Sequence, residues 1–337
     1  MLPKKITEQS RVHLFHTSGP VEKDDLKTFE AAMKKIKERY PNARLFDVQR
    51  NDLDLRYLSA SESERLRKFR QAIKEGNWLL PTYGGTGCED IVRHINDSDL
   101  IKIRKNRPVV NGFSDTTFLI NYLYFELKLL TFHYSNLCGL LENDNNQLFF
   151  DVVEGKTNSF SFKENDYAWH GPAGAPTEKI EGIAIGGNIS TFRDLLDMYN
   201  IKLRTWDDYI LFAEDIDIDM EDLHRVIIAL DERGVFRHIK ALVIGRFNTE
   251  EMARGFKKFD KIFGNKEDKV EDKPDRVFEY LLSDVLTYRK KTGDPLHILS
   301  IDNLGHGVEK NTMLVPIGGK TIIHPDKKIE FVGPFVE

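Results

Sequence analysis

Over the first 135 residues, apolar and polar positions follow two patterns, one typical of strands and one typical of helices. The β-rich apolar runs typical of buried strands lie at 11–16, 43–48, 77–82 and 107–112. Between the first two runs, residues 22–40 carry apolar side chains at three- and four-residue steps, which predicts an amphipathic helix. Ser61, with Glu64 three residues later, predicts a second helix start of the capping-box type. This alternation indicates a parallel sheet flanked by helices.

The pattern breaks between residues 141 and 179, where Asn, Asp, Gly, Pro and Ser are frequent. Strand patterns then resume at 180–186, 209–213, 241–245 and 296–301, with helix patterns at 191–199 and 220–233. A segment dense in Lys, Asp and Glu, 249–275, is predicted to be a solvated insertion. We therefore predict an N-terminal α/β domain over 1–135, a linker over 136–179 and a C-terminal α/β domain over 180–337.

Composition narrows the class of protein. The 337 residues are 40% hydrophobic and 31% charged, which is typical of a globular chain with one large or two medium domains. A net charge of −5 gives no overall attraction to nucleic acid or acidic lipid, and no run approaches the ~20 apolar residues of a membrane span. Two cysteines and a start without a secretory apolar run favour the cytoplasm; the mature start of an exported protein would look similar.

A candidate nucleophile lies in the sequence Asn-Gly-Phe-Ser-Asp-Thr at 111–116. A strand is predicted to end at Gly112 and a helix to begin at Asp115, so Ser114 would lie on a tight turn. Such a turn exposes the hydroxyl and aims the N–H groups of the helix N-terminus at the group that the serine attacks. The alternative is that Ser114 only caps the helix, as serines commonly do.

A glycine loop follows the strand pattern at 77–82. Gly84, Gly85 and Gly87 let the backbone approach a ligand closely, as in a phosphate or oxyanion cradle. Because no Lys-Ser or Lys-Thr pair follows, a nucleotide P-loop is disfavoured. A tight turn without a ligand is the alternative.

An acidic residue and a late histidine complete the candidate chemistry. Glu214 ends an apolar strand pattern and is expected at the carboxyl edge of a sheet, where α/β proteins bind ligands. His306 lies between two glycines after the last strand pattern. A histidine between a carboxylate and a serine activates the serine hydroxyl. His297 and His324 are alternatives inside β-like runs, where structural roles are expected.

No metal and no organic cofactor is predicted. The acidic string that begins at Asp215 lacks the glycine at position six and the glutamate at position twelve of a calcium loop. The two cysteines form no CxxC pair and no Cys/His array of zinc-site spacing.

Taken in order, these segments resemble the LD-carboxypeptidase family of serine peptidases, which also contains the microcin C immunity peptidases. The resemblance runs from about residue 11 to 325 and is carried by 16–19, Arg65, 84–87, 112–115, 131–133, 186–188, 211–215, 244–247 and 305–307. The ordered set is far more specific than any one of its members.

The resemblance implies a Rossmann-like N-terminal domain that carries Ser114 as the nucleophile. It implies a C-terminal α/β domain in which Glu214 orients His306, the general base and acid. The backbone N–H groups of Gly85 and Asp115 would form the oxyanion hole. The implied reaction removes the terminal D-alanine from a murein tetrapeptide without a cofactor, and the implied assembly is a homodimer.

Substrate contacts are assigned to Gly84, Asn188 and Arg246. A carboxypeptidase must bind a free carboxylate, and the planar fork of an arginine pairs both oxygens; a surface ion pair is the alternative role for Arg246. Two other functions stay open. One is an immunity-type peptidase that cleaves peptidyl or aminoacyl nucleotide analogues, and the other is a non-catalytic two-domain ligand-binding protein.

Overall fold

A computed structural model describes residues 1–22, 25–43, 57–142, 146–199, 206–216, 218–247, 274–308 and 311–337. The strand predicted at 43–48 and the charged segment predicted at 249–275 lie almost entirely outside the described residues. The chain forms two compact units, which do not follow one simple division of the sequence. The first comprises Met1–Phe160, Glu309–Lys320 and Phe331–Glu337, and the second comprises Ser161–Val308 and Thr321–Glu330.

The first unit is built on a five-stranded sheet with the order β1-β2-β3-β4-β11. Its strands are β1 (Val12–Phe15), β2 (Trp78–Pro81), β3 (Val109–Gly112), β4 (Thr131–His133) and β11 (Val315–Ile317). β1 to β4 are parallel neighbours, and β11 is antiparallel to β4. Every residue of β1 to β4 is buried, and β1, β2 and β3 lie within the runs 11–16, 77–82 and 107–112 predicted as buried strands.

The helices described in this unit are α1 (Leu26–Arg39), α2 (Glu62–Glu75), α3 (Cys88–Val92), α4 (Asp97–Asn106), α5 (Thr117–Leu127), α6 (Gly139–Glu142) and α7 (Asn146–Val153). The hydroxyl of Ser61 accepts the N–H of Glu64 at 3.3 Å, so α2 begins where the capping pattern predicts. α5 is buried on nearly all sides because it packs on β3, β4, β11 and α3. A helix held in this way fixes the turn that precedes it.

The second unit is built on the central strands of an eight-stranded sheet with the order β5-β13-β12-β7-β8-β9-β10-β6. The strands are β5 (Ser159–Phe162), β6 (Ala168–His170), β7 (Ile180–Asn188), β8 (Tyr209–Asp215), β9 (Ala241–Phe247), β10 (His297–Ser300), β12 (Lys320–Ile323) and β13 (Ile329–Val332). β7 to β10 are parallel neighbours, and β6 is antiparallel to β10. The helices described are α8 (Ile189–Tyr199), α9 (Met220–Glu232), α10 (Val235–His238), α11 (Pro274–Leu281) and α12 (Ser283–Thr292).

The predicted α/β class with parallel sheets is confirmed, whereas the unit boundaries differ from the predicted ones. Residues 309–320 return to the first unit because β11 pairs with β4. The segment 136–179, predicted as a linker, contains α6, α7, β5 and β6. Its polar composition concealed buried side chains such as Phe149 and Tyr167, which are 0% and 1% exposed. None of the described helices is long and apolar enough to cross a membrane.

Candidate active site

The candidate groups of the first unit follow the carboxyl ends of β1, β2 and β3. Because these strands are parallel neighbours, their ends meet at one edge of the sheet. Thr17 and Ser18 follow β1, the glycine loop 84–87 follows β2, and Ser114 follows β3. The fold therefore brings together three segments that lie far apart in the sequence.

Ser114 lies on a strained strand-to-helix turn. Its φ of 59° is in the left-handed region, which residues with a Cβ rarely adopt. Phe113 before it is extended, and Ser114–Thr116 form a 3-10 turn that leads into α5. The Thr116 hydroxyl accepts the N–H of Phe113 at 2.6 Å and closes the turn. A Cβ added to Gly112 would lie 2.5 Å from that hydroxyl, so this close approach requires glycine.

The cap positions around this turn belong to other residues. Phe113 is the N-cap of the 3-10 turn, and Thr116 is the N-cap of α5. A capping serine takes an extended backbone, whereas Ser114 is left-handed. The backbone therefore favours the nucleophile interpretation over the capping interpretation.

The glycine loop approaches Ser114 closely. A Cβ added to Gly84 would lie 3.4 Å from the Oγ of Ser114. The carbonyl of Gly84 accepts the N–H of Gly19 at 2.9 Å, which ties the loop to the segment after β1. The neighbouring Gly85, expected to supply an oxyanion donor, has a φ of 106°. Ser114 and the loop assigned to the oxyanion are thus adjacent.

Asp115 carries a buried carboxylate beside the candidate nucleophile. Its Oδ2 accepts the N–H of Cys88 at 2.9 Å and the hydroxyl of Ser18. Burial raises the pKa of Asp115 to about 7, and the hydrogen bond from Ser18 offsets part of that rise. From the sequence, only the backbone N–H of Asp115 is expected to take part in the site, as an oxyanion donor. An aspartate at a helix start is common, and no feature of the neighbouring sequence indicates that this one is buried.

The second unit brings Glu214 and His306 together. Glu214 is the last residue but one of β8 and its side chain is 0% exposed, whereas His306 lies in the loop after β10. The distance from His306 Nδ1 to Glu214 Oε2 is 2.7 Å. The carboxylate accepts the Nδ1–H, which selects the tautomer in which Nε2 is the basic nitrogen. The contact joins the two residues for which the sequence analysis expects the roles of orienting acid and base.

Arg246 clamps the loop that carries His306. Its backbone N–H donates to the carbonyl of Leu304 at 2.7 Å, and its Nη1 donates to the carbonyl of Gly307 at 2.6 Å. Gly305 has a φ of 116°, and a Cβ there would lie 2.9 Å from the carbonyl oxygen of Arg246. Arg246 therefore lies beside the candidate base, where it has a contact that the sequence did not predict.

The side-chain amide of Asn188, which the sequence analysis assigns to substrate contacts, makes hydrogen bonds within the fold. It pairs in register with Glu214 at the same sheet edge. Its amide nitrogen donates to Asp215 at 2.8 Å, while its amide oxygen accepts the N–H of Thr191 at 3.1 Å and so caps α8. Burial raises the pKa of Asp215 above its ordinary value, and the charge of Glu214 adds to the effect.

The described residues of the acidic string after Glu214 make hydrogen bonds within the fold. Asp215 also accepts the hydroxyl of Ser190 at 2.6 Å, and Asp219 caps α9 by accepting the N–H of Asp222 at 2.8 Å. Among the described residues, no group of three or more His, Cys, Asp or Glu side chains is arranged to hold a metal ion.

Other histidines of the second unit also contact acceptors. His297 Nδ1 lies 2.9 Å from the carbonyl of Gly174, and His324 Nε2 lies 2.9 Å from Glu330. A third array joins Ser300 Oγ to His170 Nε2 at 2.7 Å, and His170 Nδ1 to Asp275 at 3.1 Å. Ser300 is a residue of β10, which pairs with β9 and with β6 and presents no strained turn there.

Comparison with known sequences identifies the family. Residues 12–134 match the LD-carboxypeptidase N-terminal domain, and residues 181–323 match the LD-carboxypeptidase C-terminal domain. The chain belongs to the LD-carboxypeptidase family. The family predicted from the ordered motifs is thereby confirmed.

Individual relatives are distant. A presumed carboxypeptidase of Vibrio cholerae is 26% identical over 216 residues, which make up 56% of this chain and 63% of the relative. A solved structure of the microcin C7 self-immunity protein with aspartyl sulfamoyl adenosine covers 100% of both chains with a TM-score of 0.75 and 17% identity. The muramoyltetrapeptide carboxypeptidase from Oxalobacter formigenes has a TM-score of 0.67 and 18% identity, with 97% of this chain and 100% of that chain covered. At these identities the two structures establish a shared fold.

Proposed function

We propose that this protein is a serine carboxypeptidase that removes the terminal D-alanine from murein tetrapeptides. Ser114 is the nucleophile, His306 the general base and acid, and Glu214 the residue that orients His306. The backbone N–H groups of Gly85 and Asp115 form the oxyanion hole. Family membership and the muramoyltetrapeptide carboxypeptidase among the matched structures support the substrate class.

The observation that carries the proposal is the backbone of Ser114. A φ of 59° at a residue with a Cβ is unfavourable and persists only where the surrounding structure enforces it. Here Gly112, Thr116 and the buried helix α5 enforce it. Such strain is characteristic of a serine held at a nucleophile turn.

In the first half of the reaction, the Oγ of Ser114 attacks the carbonyl carbon of the diamino acid, and its proton moves to Nε2 of His306. The imidazolium is stabilised by Glu214, which accepts its Nδ1–H. The tetrahedral oxyanion accepts hydrogen bonds from the N–H groups of Gly85 and Asp115. When the intermediate collapses, the C–N bond breaks and D-alanine leaves with the proton from His306.

In the second half, water attacks the acyl-enzyme while His306 accepts a proton from it. Collapse of the second intermediate breaks the ester bond and returns that proton to Ser114. The tripeptide leaves with a new carboxylate. The proton transfers use only His306, so the proposed cycle needs no cofactor.

The direct test is incubation of the purified protein with murein tetrapeptide, with the same peptide ending in L-alanine, and with aspartyl sulfamoyl adenosine. We expect loss of one alanine from the D-terminated peptide alone, measured by mass spectrometry, and no loss with Ser114→Ala. Cleavage of only the sulfamoyl adenosine would replace the murein proposal with the immunity-type function. Cleavage of none of the three would contradict the proposed peptidase activity.

Arg246 is proposed to bind the terminal carboxylate of the substrate. We expect Arg246→Ala to raise KM for the tetrapeptide. The increase should correspond to about 1–3 kcal/mol of lost binding free energy, the size of a charged hydrogen bond. The C-terminal amide of the tetrapeptide should be a poor substrate for the wild type and hardly worse for the variant. Because Arg246 also holds Gly307, a fall in kcat shared equally by acid and amide would instead assign it to the His306 loop alone.

The family resemblance carries two further proposals, which concern assembly and location. We propose that the protein is a homodimer and that it acts in the cytoplasm on peptides released from the cell wall.

A further inference from the structure

Arg65 on α2 is an arginine without solvent contact. Its side chain is 0% exposed. Its guanidinium donates to three carbonyl oxygens and one carboxylate: Nε to Ala60 at 3.1 Å, Nη1 to Thr17 and to Gly87 at 2.6 Å each, and Nη2 to Asp90 at 2.6 Å. Two of these carbonyls belong to segments that follow neighbouring strands at the same sheet edge as Ser114. Thr17 follows β1, and Gly87 ends the glycine loop.

Asp115 contacts the same two segments from the opposite side. Its carboxylate accepts the N–H of Cys88 at 2.9 Å and the hydroxyl of Ser18. The carbonyl of Gly87 and the N–H of Cys88 belong to one peptide group. Arg65 therefore holds the oxygen of that peptide while Asp115 holds its nitrogen. The adjacent residues Thr17 and Ser18 form a second bridge between the two side chains.

We propose that Arg65 and Asp115 are positioning residues that act as a bridged pair and hold the glycine loop at the distance from Ser114 that an oxyanion requires. The inference rests on the proposed function of Ser114. Asp115 is covalently next to Ser114, so the clamped peptide is tied directly to the nucleophile turn. At the other end of the loop, a Cβ added to Gly84 would lie 3.4 Å from the Oγ of Ser114.

The geometry of the guanidinium is essential to this role. One planar fork donates to Thr17 and Gly87 through the same nitrogen and to Asp90 through the other. A lysine keeps the charge but offers a single ammonium, which cannot reproduce these directions. Arg65→Lys is thus expected to preserve the electrostatics and loosen the loop. Since oxyanion donors act only on the tetrahedral state, the effect should appear in the chemical step rather than in substrate binding.

The test compares covalent labelling of Ser114 by a fluorophosphonate and by its thiophosphonate analogue, in which sulfur replaces the oxygen that occupies the oxyanion hole. Sulfur is a weak acceptor, so the ratio of the two rates reports hydrogen bonding in the hole. We expect Arg65→Lys and Asp115→Ala, which removes the acceptor of both hydrogen bonds, each to lower the oxygen-probe rate about 10- to 100-fold, a fraction of the loss for a deleted donor, and to change the sulfur-probe rate by less than about threefold.

Arg289 provides a matched control in the second unit. It is 3% exposed and donates to the carbonyls of Asp294, Phe236 and Ile239 and to the carboxylate of Asp294, so its contacts repeat those of Arg65. Arg289→Lys should lower the melting temperature as Arg65→Lys does and leave the rate ratio unchanged. If Arg65→Lys fails to fold, Ser18→Ala removes one bridge alone and should lower the same ratio.

The outcomes separate the two proposals. A wild type that is labelled on Ser114, with the same rate ratio in the Arg65, Asp115 and Ser18 variants, would overturn the positioning role and leave the proposed function standing. A wild type that is not labelled on Ser114 would overturn the proposed function and this inference with it.

Discussion

Ser114→Ala, His306→Ala and Glu214→Gln are each expected to lower kcat by about three to six orders of magnitude, the range measured for members of such triads. Ser114→Ala removes the proposed nucleophile, and His306→Ala removes the proposed general base. Glu214→Gln keeps the shape of the side chain that contacts His306 at 2.7 Å. Its amide cannot stabilise the imidazolium, and it can select the wrong tautomer.

The three effects should not add. Once the nucleophile or the base is gone, the remaining two groups have little left to catalyse, so Ser114→Ala/His306→Ala should be no slower than Ser114→Ala within about tenfold. KM should change little, because the triad acts on the transition state. Steady-state rates with the tetrapeptide measure both quantities.

The structure offers unusually close controls for this experiment. Ser300→Ala disrupts the array with His170 and Asp275, which has the residue types of a triad but lies on a regular strand. His324→Ala disrupts a second histidine–glutamate pair, with Glu330 at 2.9 Å. Both variants should retain kcat within a few-fold of the wild type. A Ser114→Ala enzyme near wild-type turnover, or a Ser300→Ala enzyme without activity, would contradict the assignment to Ser114.

The sequence was sufficient to predict the parts of this site that depend on local patterns. The run 107–112 predicts a buried strand, and the helix after Asp115 follows from its own apolar positions, so the turn at Ser114 could be inferred. The sequence predicts Glu214 at a sheet edge because it follows the apolar run 209–213. Each inference needs only residues that are close in the chain.

The contacts that the sequence did not predict join distant segments. Asp115 meets Ser18 at a separation of 97 residues, and Arg65 meets Thr17 at 48. On the helix α2, Arg65 reads as one more polar residue among charged ones, and its burial depends on loops that cover it in the folded chain. β11 likewise pairs with β4 although residues 134–314 separate them in the sequence, and local periodicity cannot predict such a pairing.

The stability of the first unit is expected to depend on the ionisation of Asp115. Burial raises the pKa of Asp115 from 3.8 to about 7, so between these values the folded state holds a proton that the unfolded chain releases. The contribution of Asp115 to the free energy of unfolding is therefore greatest at low pH. It falls as the pH rises between these two pKa values. A shift of about three pKa units corresponds to about 4 kcal/mol, of which about 2.5 kcal/mol falls between pH 5 and pH 8.

The pH dependence of the wild-type unfolding free energy does not by itself isolate the contribution of Asp115. Burial and the nearby charge of Lys68 lower the pKa of His16 to about 4, and the loss of stability from this group occurs as the pH falls. The two residues therefore act in opposite directions over the same range. Subtracting the profile of Asp115→Asn from that of the wild type removes the His16 contribution, because both proteins keep that histidine.

Urea unfolding at several pH values between 5 and 8 tests this prediction, with Trp78 as the reporter for the first unit. The other two tryptophans, Trp169 and Trp206, lie in the second unit and can be replaced by phenylalanine in both proteins. The unfolding free energy of the wild type minus that of Asp115→Asn should fall by about 2.5 kcal/mol over this range. Ser18→Ala should steepen the fall, because the hydrogen bond from Ser18 lowers the pKa of Asp115.

A difference between wild type and Asp115→Asn that stays flat or rises with pH would mean that the Asp115 carboxylate is ionised in the folded protein over the whole pH range. Arg65 and the Cys88 N–H would then stabilise the charge more than burial opposes it.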